Sequence, residues 1–430
     1  MTPTIRIQLS VMMFIQFFIW GAWAVTMGTY LGAIGFSGTQ IGQAYSTAAI
    51  AAIVSPFFIG MVADRYLPAQ ITMGILHLLG GVFMFLATTV DSFAPFFVLL
   101  LAYTLCYMPT LALVNAVSFN QMENPSQEFP GVRVLGTLGW IIAGLLIGFA
   151  EQITGFLGLS WEMTNIEGTN LPLRMAAIGS FVLGFYCFTL PNTPPQAKGE
   201  KTTIREIIGL DTLSLMKDRS FAIFIVSSLL ICIPLAFYYN FTNPFLNEIG
   251  VENAAAKMTM GQMSEFGFML VMPFFLRALG IKYMLLTGML FWAARYVLFA
   301  FGDADSALVY MLYFGIIFHG ICYDFFFVTG QLYVDRVAPK AIRASAQGFI
   351  ALITYGVGMY IGAWISGIVV DMYAIEGTEP TMHNWTSIWL IPAAMAAVVM
   401  VIFFILFQDK VSPEPETVED VEVNEENDAV

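Results

Sequence analysis

The sequence predicts an all-α integral membrane protein whose twelve transmembrane helices form two pseudo-symmetric six-helix bundles. Three observations carry this expectation. Hydrophobic residues fill 58% of the 430 positions and charged residues 11%, against roughly 45–50% and 25% in a soluble domain. Apolar stretches of about 20 residues, the length that crosses a bilayer, recur twelve times. One long polar stretch then divides them six and six.

The first six stretches fall at about 8–33, 39–63, 71–90, 94–120, 132–154 and 173–191. Only Arg6 precedes the first, and no small-residue cleavage site follows it, so it reads as a span and not as a signal peptide. It carries Gln16, Trp20 and Trp23 at helical spacing. The third carries His77, a packing residue on this reading, and the fifth opens on Arg133. The other six lie at about 220–246, 254–277, 283–301, 306–332, 344–371 and 385–407. The expected organisation is a bundle over 1–191, a cytoplasmic linker over 192–219, a second bundle over 220–407 and a tail over 408–430. That tail is acidic and has too little apolar surface to fold, so it reads as disordered.

The chain has 17 basic and 30 acidic residues, a net charge of −13. This balance argues against nucleic acid as a partner. Arg6, Arg65, Lys201, Lys282, Arg343 and most other basic residues fall on one side of a twelve-span chain, whereas Glu151, Glu167, Glu252 and Asp303 fall on the other. Cytoplasmic loops accumulate Lys and Arg, so both termini are expected in the cytoplasm. Cys106, Cys187, Cys232 and Cys322 lie in apolar stretches without paired spacing, which indicates neither a disulfide framework nor a metal site. A weak repeat relates the halves: Pro56-Phe57-Phe58-Ile59 ends span two and Pro273-Phe274-Phe275-Leu276 ends span eight, each before a basic turn. Repeated halves with a site at their interface are a common plan of secondary transporters.

Ionisable residues inside spans mark the chemistry. Each costs at least about 2.5–3.5 kcal/mol at bilayer depth, so they face a cavity or one another and commonly line a substrate or proton path. Glu265 lies in span eight with Gln262 on its face, Arg295 in span nine, and His319, Tyr323 and Asp324 in span ten. Burial favours the neutral form of a carboxylate and a nearby guanidinium the charged form, so a carboxylate between those influences can load and release a proton. A static charge network that only ties helices together is the alternative. In span five, Arg133, Thr137 and Trp140 share one helical face. A guanidinium hydrogen-bonds oxygens while an indole stacks on a flat ring; the plainer reading is headgroup snorkelling by Arg133 and packing by Trp140. Tyr238, Tyr239, Asn240 and Asn243 precede Pro244 in span seven and could line the same cavity.

The segment Gly60-Met61-Val62-Ala63-Asp64-Arg65 resembles the first-half loop motif of the major facilitator superfamily, although Tyr66-Leu67-Pro68-Ala69 departs from the basic continuation of that motif. Further segments resemble the nucleoside:proton symporter family within it: Trp20-Gly21-Ala22-Trp23, Tyr107-Met108-Pro109-Thr110-Leu111, Arg133 through Gly139, Gln262-Met263-Ser264-Glu265, Tyr323-Asp324-Phe325-Phe326 and Ile342-Arg343-Ala344-Ser345-Ala346-Gln347-Gly348. The resemblance implies the major facilitator fold, with Gly60, Asp64 and Arg65 in a conformational loop motif. It also implies substrate contacts from Arg133, Thr137, Gln262 and Glu265, an aromatic and an acid at Tyr323 and Asp324, and His319 where the family can place a Tyr. Polar positions expected on span seven appear as Ala236 and Tyr239. The pattern Arg133-x-x-Gly-x-x-Gly-Trp140 and the spread of Glu265, Arg295 and His319 are also similar to the lactose permease family.

These readings converge on a proton-coupled importer of nucleosides in a bacterial inner membrane, with a proton-coupled sugar symporter of the same fold as the alternative. Expected partners are the lipid bilayer, a small-molecule substrate and protons; no cofactor, metal or further subunit is called for, and the chain is expected to act as a monomer. Substrate binding is assigned to Arg133, Thr137, Trp140, Tyr239, Gln262, Glu265, His319 and Tyr323, and proton coupling to Asp324, Glu265 and Arg295. An enzyme is not expected. Tyr323-Asp324 matches the first motif of intramembrane aspartyl proteases, but the second, Gly-x-Gly-Asp, is absent.

Overall fold

A computed structural model describes residues 1–58, 66–159, 163–195, 210–378 and 381–409. The loop-motif residues Gly60, Asp64 and Arg65 lie outside the described residues, as do residues 196–209 of the linker and nearly all of the acidic tail.

Among the described residues, nine helices are long and apolar enough to cross a membrane. One of them, Ala254–Phe301, runs for 48 residues and is bent sharply where Gly280 takes φ 66° and ψ 174°. That backbone conformation belongs to glycine, and it turns one helical run into spans eight and nine. The shorter apolar helix Leu171–Cys187 and the helix Gly38–Phe58, which adjoins residues outside the described set, bring the spans to twelve.

Local sequence explains the ends. Thr2 accepts from the N–H of Ile5 at the start of span one, Pro3–Ala24, and Asp218 accepts from that of Phe221 at the start of span seven, Arg219–Glu248. Such caps satisfy donors that the first helical turn leaves unpaired. Span one continues after a break at residues 25–26 as the short helix Met27–Ala33. Span five, Pro125–Gly148, begins about two turns before the expected residue 132 because Pro125 occupies a first-turn position, where its missing N–H costs nothing. Two short strands, Ala374–Ile375 and Met382–His383, pair antiparallel between spans eleven and twelve.

Span one packs on spans five and six, span two on span four, and span three (Ala69–Ala87) on span four (Phe93–Asn120) and span six. In the second half, span seven packs on eleven and twelve (Trp385–Leu406), and the bent pair eight and nine on ten and twelve. Spans two and eleven, spans five and eight, and Met27–Ala33 with span seven join the halves. Spans ten and eleven each contain a wide π-helical stretch, Asp324–Val328 and Leu352–Gly358. Such stretches disturb the regular hydrogen-bond ladder and recur at functional sites.

Candidate substrate and proton site

Span five supplies one wall. Arg133, Thr137 and Trp140 are all partly buried. The Arg133 guanidinium lies 4.2 Å from the Phe17 ring centroid, and its Nη1 is buried without a hydrogen-bond partner among the described residues. Trp140 meets Trp20 edge to face at 5.6 Å, and Trp20 meets Tyr107 at 6.1 Å. Their polar neighbours are already occupied. Gln16 Nε2 donates to Thr110 Oγ1 at 2.8 Å, Gln16 Oε1 meets His77 Nε2 at 2.8 Å, and Tyr107 donates to the Gln16 carbonyl at 2.6 Å. Gln16 and His77 therefore brace spans one, three and four, and Trp23 is buried against Tyr103. Of that span-one face, Phe17 and Trp20 are the residues beside Arg133 and Trp140.

The opposite wall depends on how closely spans eight and ten approach. Ser264 donates to the Ile317 carbonyl at 2.7 Å and accepts from the Gly320 N–H at 3.1 Å. A Cβ on Gly320 would stand 2.5 Å from the Ser264 carbonyl carbon, so glycine is what permits this contact. From the residues next to this contact, Glu265 after Ser264 and His319 before Gly320, Glu265 Oε2 lies 3.9 Å from His319 Nε2. The His319 ring stacks on Tyr238 at 5.1 Å and is met by Tyr239 and Tyr323, each at 5.9 Å. The Tyr323 and Tyr355 hydroxyls share a hydrogen bond of 2.8 Å. Gln262 is partly buried beside Glu265, whereas Ala236 is fully buried against span eleven at Gly362. Arg133 on span five and Glu265 on span eight stand on the two helices that pack together across the seam between the halves.

Arg295 and Asp324 do not form the static charge network that was the alternative reading. Arg295 is fully buried, its guanidinium 4.0 Å from the Tyr238 ring centroid, with Nε donating to the Gly315 carbonyl at 2.9 Å. Among the described residues its Nη1 and Nη2 have no partner, and neither does either carboxylate oxygen of the fully buried Asp324. The structure thus joins Glu265, His319, Tyr239 and Tyr323 in one cluster and attaches Arg295 to it through an aromatic face. In this conformation no described residue supplies Asp324 with a cation. Sequence spacing places residues on a helix but does not say which way adjacent helices turn, and a π-helical stretch beginning at Asp324 shifts the phase again. Phe17 and Tyr355 were not singled out from the sequence, where an isolated aromatic residue in an apolar span gives no signal of its own.

A twelve-helix chain in two halves, with a polar cluster facing across their seam, defines a secondary transporter of the major facilitator fold and not an enzyme. Comparison with known proteins gives the narrower class. The family model described as "Nucleoside H+ symporter" matches residues 3–412, and the chain belongs to that family. It is 43% identical to YegT of Escherichia coli (strain K12), over 94% of this chain and 93% of that protein. It is 34% identical to the xanthosine permease of the same organism, over 96% and 98%. The crystal structure of the nucleoside transporter NupG superposes with a TM-score of 0.84 at 32% identity, covering 94% of this chain and 100% of that one.

Proposed function

We propose that the protein imports nucleosides together with protons across a bacterial cytoplasmic membrane, as a monomer with both termini inside. The observation that carries this reading is a site drawn from both halves, with Arg133, Thr137 and Trp140 on one side and Gln262, Glu265, His319 and Tyr323 on the other. A guanidinium and a carboxylate can hold the hydroxyl and heteroatom edges of a polar solute, while Trp140, Tyr239 and Tyr323 offer flat apolar faces. A nucleoside has both kinds of surface. Movement of residues 1–191 against 220–407 would expose such a site to each side in turn. The segments 192–219 and 408–430 serve as linker and acidic tail on this reading.

A thermal-shift and uptake-competition panel of nucleosides, nucleobases and sugars on the purified protein tests the proposal. Nucleosides are expected to stabilise the fold and to compete for uptake. A response to free sugars with none to nucleosides would overturn the reading in favour of a sugar symporter.

Trp140 gives a sharper test of position. Stacking on an aromatic side chain is worth about 1–3 kcal/mol per base, so Trp140→Ala is expected to weaken nucleoside binding by roughly one to two decades. Trp140→Tyr should retain much of the affinity. Titration of both variants checks this, and unchanged affinity in Trp140→Ala would make the ring a packing partner of Trp20 alone.

A further inference from the structure

On the side remote from the termini, two carboxylates cross between the halves. Glu167, in the turn Ile166–Gly168 between spans five and six, is 4% exposed. Its Oε2 accepts from Asn243 Nδ2 at 2.7 Å and Asn247 Nδ2 at 2.9 Å, both on span seven, and its Oε1 accepts from the Ala255 N–H at 3.0 Å. Ala255 lies in the first turn of span eight. Thr29 of the first half donates to Asn243 Oδ1 and extends the same knot. Asp371, near the end of span eleven, accepts from the N–H groups of Gly38 and Thr39, which form the first turn of span two.

First-turn N–H groups have no partner inside their own helix, and they lie at the positive end of the helix dipole. Each carboxylate therefore meets two needs of a helix in the other half. Spans two and eight occupy corresponding places in the two halves, as do spans five and eleven, so the exchange is reciprocal. A solvent-accessible vestibule of about 460 Å³ adjoins the first contact and is lined in part by Glu151, Asn165, Glu167, Glu252 and Asn253. Water is at hand there to replace the bonds when the halves part.

We propose that Glu167 and Asp371 form a reciprocal pair of clamps that hold this side of the carrier shut, each a carboxylate of one half seated on a helix N-terminus of the other. Opening toward this side must break both. Their strength then sets how often the site turns outward. The proposal rests on alternating exposure by the two halves and is independent of which solute is carried.

Thr259 reports on the seam, because it is 3% exposed and its methyl group packs against Gly144 of span five. A cysteine introduced there in the full-length chain is expected to react slowly with a maleimide, scored against the parent with its native cysteines alone. Removing a charged hydrogen-bond partner should raise that rate about ten-fold in Glu167→Ala and in Asp371→Asn, and further in the double variant. Asn247→Ala removes one donor and keeps the charge; it should give a smaller rise and decides the case if Glu167→Ala does not fold. Rates within about two-fold of the parent in the folded variants would overturn the clamps while leaving nucleoside binding in the panel untouched. Rapid labelling with no response to nucleosides would support the clamps and count against the proposed substrate.

Discussion

Uphill uptake driven by a pH gradient is expected to disappear in Asp324→Asn, while binding and exchange at equal pH persist. The carboxylate is fully buried at the start of the π-helical stretch of span ten, and neither oxygen meets a donor. A charge at that depth costs at least about 2.5–3.5 kcal/mol unless something neutralises it. Arg295 donates through Nε to the Gly315 carbonyl and lies on the Tyr238 ring, and no described residue pairs with Asp324, so a proton is the expected neutralising partner in this conformation. Movement of the halves that brings water or a cation to the carboxylate would release that proton and so would couple the gradient to transport. Asparagine keeps the shape and cannot carry the proton. Counterflow and gradient-driven uptake measured in proteoliposomes separate the two activities. Undiminished accumulation would move the coupling role to Glu265 or His319.

Arg133→Ala and Glu265→Gln are each expected to eliminate detectable uptake while leaving membrane insertion intact. The two groups stand on spans five and eight, which pack together across the seam between the halves. A hydrogen bond to a charged group contributes about 1.5–3 kcal/mol, so losing either grip on the solute is expected to weaken its binding by roughly one to two decades. Neither change touches the apolar length of its span, so insertion should be spared. Uptake and surface abundance measured on the same cells check the pair. Normal transport by either variant would show that the solute is gripped elsewhere on the seam.

The strongest signals in the sequence were those of composition and period. Twelve apolar lengths, a polar division after the sixth and the clustering of Lys and Arg made the fold legible, because the bilayer imposes length and apolarity on each span by itself. The same applies to the candidate site. An ionisable residue in such a span stands out wherever it falls, so Glu265, Arg295, His319 and Asp324 were visible before any packing was known, and the grouping of Arg133, Thr137 and Trp140 needed only the helical period.

Partnerships were not legible in this way. That Arg295 meets the Tyr238 ring and not Asp324 depends on how spans seven, nine and ten turn toward one another. The bond between Tyr323 and Tyr355 depends on two π-helical stretches that hydrophobic period does not reveal. Glu167 reads as an ordinary loop acid and Asp371 as the last residue of a span until the halves close and carry them onto helix ends far away in the chain. Sequence by itself determined which residues enter the membrane and which of them are too costly to be there without a task. Only the tertiary structure decided which of those residues meet, because contacts between helices are set by close packing and not by the spacing along any one of them.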